Sequence, residues 1–167
     1  MVQTPNAPTF KQRMALRRGW TVSIDIHAPR ALVWEQVTDF AAYAEWNPFV
    51  LEAEAEFEVG KSIQFLEELQ EFGQHWLAAK FLAIDPPNEF VWQGHFKAAL
   101  LFQVRHSFKF EALGNHRTRF TQVHQHSGIL IPYLAWKGIY IRSHQGYMAF
   151  NQALKRRCEE LAAARSV

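Results

Sequence analysis

The chain has 167 residues, of which 49% are hydrophobic and 20% charged, the length and composition of one folded globular unit and not of a disordered chain. A formal charge of +2 with scattered basic residues is too mild to imply a binder of nucleic-acid backbones, and no apolar run approaches the ~18 residues of a membrane-spanning helix. The single cysteine, Cys158, excludes an internal disulfide and a multi-cysteine zinc site; it suits a reducing compartment, so a cytoplasmic location is expected.

Residues 1–18 carry two prolines and little periodicity, which predicts a loose N-terminal arm with a short helix near Lys11 to Arg17. The arm is basic but no apolar stretch follows it, as a secretory signal would require. A single domain is expected over 19–167. From Trp20 to His27 apolar and polar residues alternate, the pattern of a half-buried strand. Pro29 pre-sets the first turn of a helix whose apolar face is Val33, Trp34, Val37, Phe40 and Ala41. The pattern breaks at Asp39 and ends at Asn47-Pro48, which predicts two short helices in series.

Leu51, Ala53, Ala55 and Phe57 then alternate with four glutamates that must face water. Five further strands are legible at 62–69, 75–84, 90–96, 100–111 and 118–127, joined by short turns that favour antiparallel neighbours. After a loop at Gly128 to Pro132, Tyr147, Phe150, Asn151, Leu154, Cys158 and Leu161 mark one stripe of a long helix. From Tyr140 to Ala164 that helix would span roughly 37 Å, enough to cover a strand of ~40 Å from end to end. The order of elements is that of an α+β fold with the helices on one sheet face.

Several of these stretches match a known family. Ile26-His27-Ala28-Pro29, Val33-Trp34, Asp39-Phe40 and Trp46-Asn47-Pro48-Phe49 resemble the N-terminal signature of the SRPBCC (START/Bet v 1-like) superfamily. The resemblance continues through His106-Ser107-Phe108, Thr118 to Gly128, Met148 to Asn151 and Ala153-Leu154-Lys155, covering roughly residues 20–162. It is similar above all to the bacterial subgroup of polyketide cyclase/dehydrase and lipid-transport proteins. That resemblance implies the helix-grip fold, a seven-stranded antiparallel sheet wrapped around the long C-terminal helix, with two short helices after strand one. It implies no single reaction, because the superfamily includes carriers, aromatase/cyclases and co-chaperones.

The inward series on the two strands before the last helix are Phe102, Val104, His106, Phe108, Phe110 and Thr118, Phe120, Gln122, His124, His126, so polar groups interrupt an apolar face. A three-residue hairpin loop at Leu113-Gly114-Asn115 would pair His106 with Gln122 and make His106 and His124 diagonal neighbours. The candidate ligand-binding residues are Trp92, Phe102, Phe108, Phe120 and Tyr147 as apolar lining, with His106, Gln122, His124 and Asn151 as polar contacts. The histidines equally suit a hydrogen-bonded core, or acid/base work on a bound carbonyl compound. His106, His124 and His126 lack an adjacent acid or thiol, which argues against a metal.

Relatives often carry an acid near the position of His124 and an apolar residue near that of His126, so acid-dependent chemistry is not carried over. His75, Trp76, Trp92 and His95 are assigned to core filling. Glu67, Glu68, Glu71 and Asp85, near strand ends and turns, are assigned to solvent without a catalytic role.

The expected function is binding or transport of a hydrophobic small molecule in an internal cavity, without cofactor or nucleic acid, by a monomer or homodimer. The alternatives are a cyclase/dehydratase using histidine, and an interaction module with a filled core.

Overall fold

The structure, a computed structural model, describes residues 16–165. Its elements are β1 (Arg17–Ile26), α1 (Arg30–Thr38), a 3-10 turn (Phe40–Ala42), α2 (Tyr43–Trp46), β2 (Val50–Ala55), β3 (Ser62–Leu69), β4 (Gly73–Asp85), β5 (Glu89–His95), β6 (Gln103–Ala112), β7 (Thr118–Ser127), α3 (Ile131–Trp136) and α4 (Ile139–Ala164). The seven strands form one antiparallel sheet in the order β1-β7-β6-β5-β4-β3-β2. Every pairing joins chain neighbours except β1 with β7, which brings the first strand beside the last.

Local chemistry explains the two corners that lead into the sheet. Pro29 stands just outside α1 in an extended conformation, and its carbonyl accepts from Leu32 and Val33, as a residue that cannot donate is suited to do. At the other end of the helical corner, buried Asn47 accepts from the amides of Phe49 and Val50 at 3.0 Å each. This side-chain turn satisfies backbone donors that Pro48 prevents from continuing a helix. α1 buries Leu32, Val33, Gln36 and Val37, while α4 lays Tyr147, Phe150, Asn151, Leu154 and Cys158 against the sheet. The core between them joins Ile26, Phe40, Phe81, Phe90, Phe110 and Phe120.

Four expectations are corrected. β1 begins at Arg17, three residues before Trp20, so Arg17 and Arg18 belong to the sheet; the helix expected near Lys11 lies mostly outside the described residues. β6 begins at Gln103, not Leu100, because 96–102 curl into a loop in which Phe96 donates to the Phe102 carbonyl and Leu101 to that of Ala98. The β6–β7 loop is five residues long, closed by Leu113 donating to Arg117. This moves the register by two, placing His106 opposite His124 and Phe108 opposite Gln122. Finally, His75, Trp76 and His95 are exposed and fill no core. β5 pairs with β4 only from Ala79 onward, so Gly73 to Ala78 overhang with β3 as their one sheet neighbour.

Candidate functional site

The inner face of β5, β6 and β7 presents Trp92, His106, Phe108, Phe120, Gln122 and His124, all buried. α4 closes over them with Tyr147 and Asn151, also buried. The directly opposed histidines meet ring on ring, with centroids 3.7 Å apart. His106 stacks on Phe108 at 3.9 Å and takes the edge of Trp92 at 4.9 Å, while His124 lies 4.0 Å from Tyr147. Eight of the nine candidate residues therefore gather in one interior. Phe102 does not: it lies in the loop before β6, half-buried, 5.6 Å from the His126 ring.

Two buried side-chain hydrogen bonds tie the sheet to the helix. Gln122 donates to Asn151 at 2.7 Å, and the Tyr147 hydroxyl donates to Glu67 at 2.6 Å. Glu67 overturns its assignment to solvent, for it is buried on the inner face of β3. The signal was present in the alternation Ile63, Phe65, Glu67, Leu69, which puts the carboxylate on the apolar side of β3. Burial raises its pKa to about 7 against the opposing pull of the Tyr147 hydrogen bond.

The same burial acts oppositely on the bases. His106 and His124 are held well below the usual histidine range, first by loss of water and then by neighbouring histidines, and His126 is lowered to about 4. Gln122 counteracts the shift of His106, yet no hydrogen bond of good geometry reaches either His106 ring nitrogen among the described residues. The Gln122 carbonyl oxygen and Nε2 of His124 are likewise buried without partners. From His124 a ladder of rings continues outward through Trp20, stacked at 5.0 Å, to His126, Tyr140 and His144.

The expected open cavity is corrected. The space enclosed by Tyr43, Phe65, Trp92, Phe108, Tyr147 and Phe150 is about 20 Å³, room for about one water, against ~300 Å³ or more for a ligand pocket. Aromatic packing fills it, as in the parallel stacking of Phe90 and Phe108 at 4.4 Å. Larger recesses of about 550 and 540 Å³ lie at the surface, one beside His27, His116 and Glu159, the other along Arg17, Gln93, Arg105 and Gln125 with His126 at its margin. Among the described residues no cluster of three His, Cys, Asp or Glu is placed to hold a metal, and no helix is long and apolar enough to cross a membrane.

Glu67 yields a measurable consequence. A raised carboxyl pKa stabilises the fold fully below the unfolded value of 4.5 and loses that contribution as pH rises through about 7. Glu67→Gln should be less stable than the parent by about 1 kcal/mol near pH 4, the cost of an amide N–H without a partner, and more stable by about 2 kcal/mol near pH 8. Urea denaturation at the two pH values measures the difference; equal stability at both would mean that Glu67 titrates normally.

The family model described as polyketide cyclase / dehydrase and lipid transport matches residues 18–159. Among solved structures, the Zhui aromatase/cyclase of a Streptomyces species superposes with a TM-score of 0.71 at 18% identity, covering 86% of this chain and 94% of that one. A START superfamily protein of Mycobacterium smegmatis gives 0.66 at 16% identity, covering 86% of this chain and 98% of that one. A norcoclaurine synthase of Thalictrum, in complex with a transition-state analogue, gives 0.66 at 12% identity, covering 86% and 95%. No curated protein matches. At these identities the structural likenesses establish the helix-grip fold.

Proposed function

Because the chain belongs to the polyketide cyclase/dehydrase and lipid transport family, we propose that it binds a hydrophobic small molecule between the sheet and α4. The observation that carries this reading is the set of unpartnered buried polar atoms on His106, Gln122 and His124 inside an aromatic interior. Each such atom costs about 1–3 kcal/mol when left unpaired, and a ligand hydroxyl or carbonyl would supply the missing partners. The described residues that enclose this interior include no lysine or arginine, and the histidines are held neutral, so the favoured ligand is uncharged. With so little free volume, binding requires the aromatic side chains or α4 to yield, and the apparent affinity is reduced by the fraction of chain in the open form. Aromatase/cyclases and START proteins with the same fold support a ligand reading in this family without identifying the ligand.

A second reading is favoured by one observation, the buried hydrogen bond between Tyr147 and Glu67. A carboxyl group that titrates at about 7 is suited to both giving and taking a proton near neutrality. In a cyclase or dehydratase the proton would then be moved by Glu67, with the histidines serving as neutral hydrogen-bonding groups.

Native mass spectrometry of the gently purified chain distinguishes these from a filled core. Binding predicts a co-purifying neutral mass, with affinity reduced about two- to tenfold in Gln122→Leu, the loss of one hydrogen bond. A chain of bare mass that takes up no uncharged polycyclic ketone or long-chain alcohol would rule the binder out.

A further inference from the structure

Large apolar side chains gather at one end of the molecule, where the β5–β6 loop meets the segment after β7. The two stretches are bonded together, with Ile129 donating to the Leu100 carbonyl and Leu130 to that of Leu101. Leu100 is 73% exposed and Trp136 70%, and Phe96, Ile129 and Tyr133 are each more than half exposed. Apolar side chains of this size, each more than half exposed and gathered in one rim, are uncommon on a surface without a partner. They are also held in place: the Tyr133 and Trp136 rings lie 6.1 Å apart, and Lys137 sits over both, 6.0 and 5.3 Å from their centroids. Lys97 sits over Phe96 at 5.6 Å.

The charge of this end has one sign in the sequence. No Asp or Glu occurs between Glu89 and Glu111, nor between Glu111 and Glu159, the two stretches that supply the whole rim. Among the described residues no ion pair joins an acid to 96–101 or 129–137, and Glu71, from the β3–β4 turn, is paired with Arg142 of α4 at 2.6 Å. Trp and Tyr rings with lysines beside them are the groups that sit at the level of lipid headgroups, where the ring is half in hydrocarbon and the ammonium meets phosphate. An acid-free cationic rim complements an anionic surface and repels a second copy of itself.

We propose that this rim, formed by 96–101 and 129–137, docks the protein on anionic lipid bilayers. The inference stands on the surface alone and holds whether or not the interior takes a ligand. The loop that carries it ends at Phe102, which packs on His126, so the docked end lies directly above the histidine ladder.

Co-sedimentation of the full chain with phosphatidylcholine vesicles, with and without phosphatidylglycerol, tests it. The parent chain should sediment with the anionic vesicles. Leu100→Ser with Trp136→Ser should lower partitioning about tenfold or more. Lys97→Glu with Lys137→Glu should lower it about tenfold on anionic vesicles and leave neutral ones unaffected. Trp76→Ser, a change to a tryptophan that is 56% exposed on the outer sheet face, should have no effect. All four sites are exposed, so melting curves should superpose; if the serine pair fails to fold, the lysine pair decides alone. The proposal is overturned if the parent stays in solution with both vesicles, if the rim variants bind as it does, or if sedimentation velocity shows a rim-dependent dimer that ignores vesicles.

Discussion

Acidification should unfold this protein in the range where its histidines gain protons, and His126→Leu should remove about 3 kcal/mol of that loss near pH 4. A histidine whose pKa is depressed in the fold contributes stability that is complete above the unfolded value of 6.5 and disappears as pH falls toward the folded value, about 4 for His126. His106 and His124 act in the same direction, and Glu67, whose folded pKa is raised, acts in the opposite one. Between about pH 6.5 and 4.5 three bases therefore outweigh one acid, and stability falls as protons are added. The surroundings of His126 reinforce the sign. Arg18 stands opposite it in the sheet, and Trp20, Tyr140 and Phe102 pack on it, with no carboxylate among these neighbours. Urea midpoints measured from about pH 8 to 4 give the profile. A parent and variant that run parallel across the whole range would show that His126 protonates freely in the fold.

Phe150→Ala should cost about 3–5 kcal/mol, the usual price of removing a buried ring. Phe150 is fully buried on α4, with Trp46, Tyr43 and Phe120 around it at 5.2, 5.8 and 6.2 Å. It also borders the small interior space, so the vacated volume joins that space to form one apolar cavity able to take a molecule such as benzene. Thermal melting with and without benzene should show a rise in the variant and none in the parent. The experiment bears on function, because it measures how much of the interior must move before a ligand fits. A variant that loses less than about 1 kcal/mol would mean that α4 collapses onto the sheet, and that the interior is plastic already in the parent.

The candidate site was partly legible. Alternation along β6 and β7 assigned His106, Gln122 and His124 to the inner face, and the helical stripe assigned Tyr147 and Asn151 to the face of α4 that meets them. Glu67 was passed over through its chemistry: an ionised side chain near a strand end is ordinarily wet, and only the closure of Tyr147 over it makes burial tolerable. The hairpin register failed for a narrower reason. A loop two residues longer preserves which side chains face inward, since the period is two, yet it changes which of them meet.

Periodicity along the chain was sufficient for the sheet, the long helix and the composition of their facing surfaces, because each of these depends on neighbours a few residues away. The pairing of β1 with β7, the contact of His106 with His124, the burial of Glu67 and the near-complete filling of the interior joined residues tens of positions apart. Those outcomes depend on loop lengths and on how side chains from separate elements share a fixed volume. Only the assembled fold could decide them.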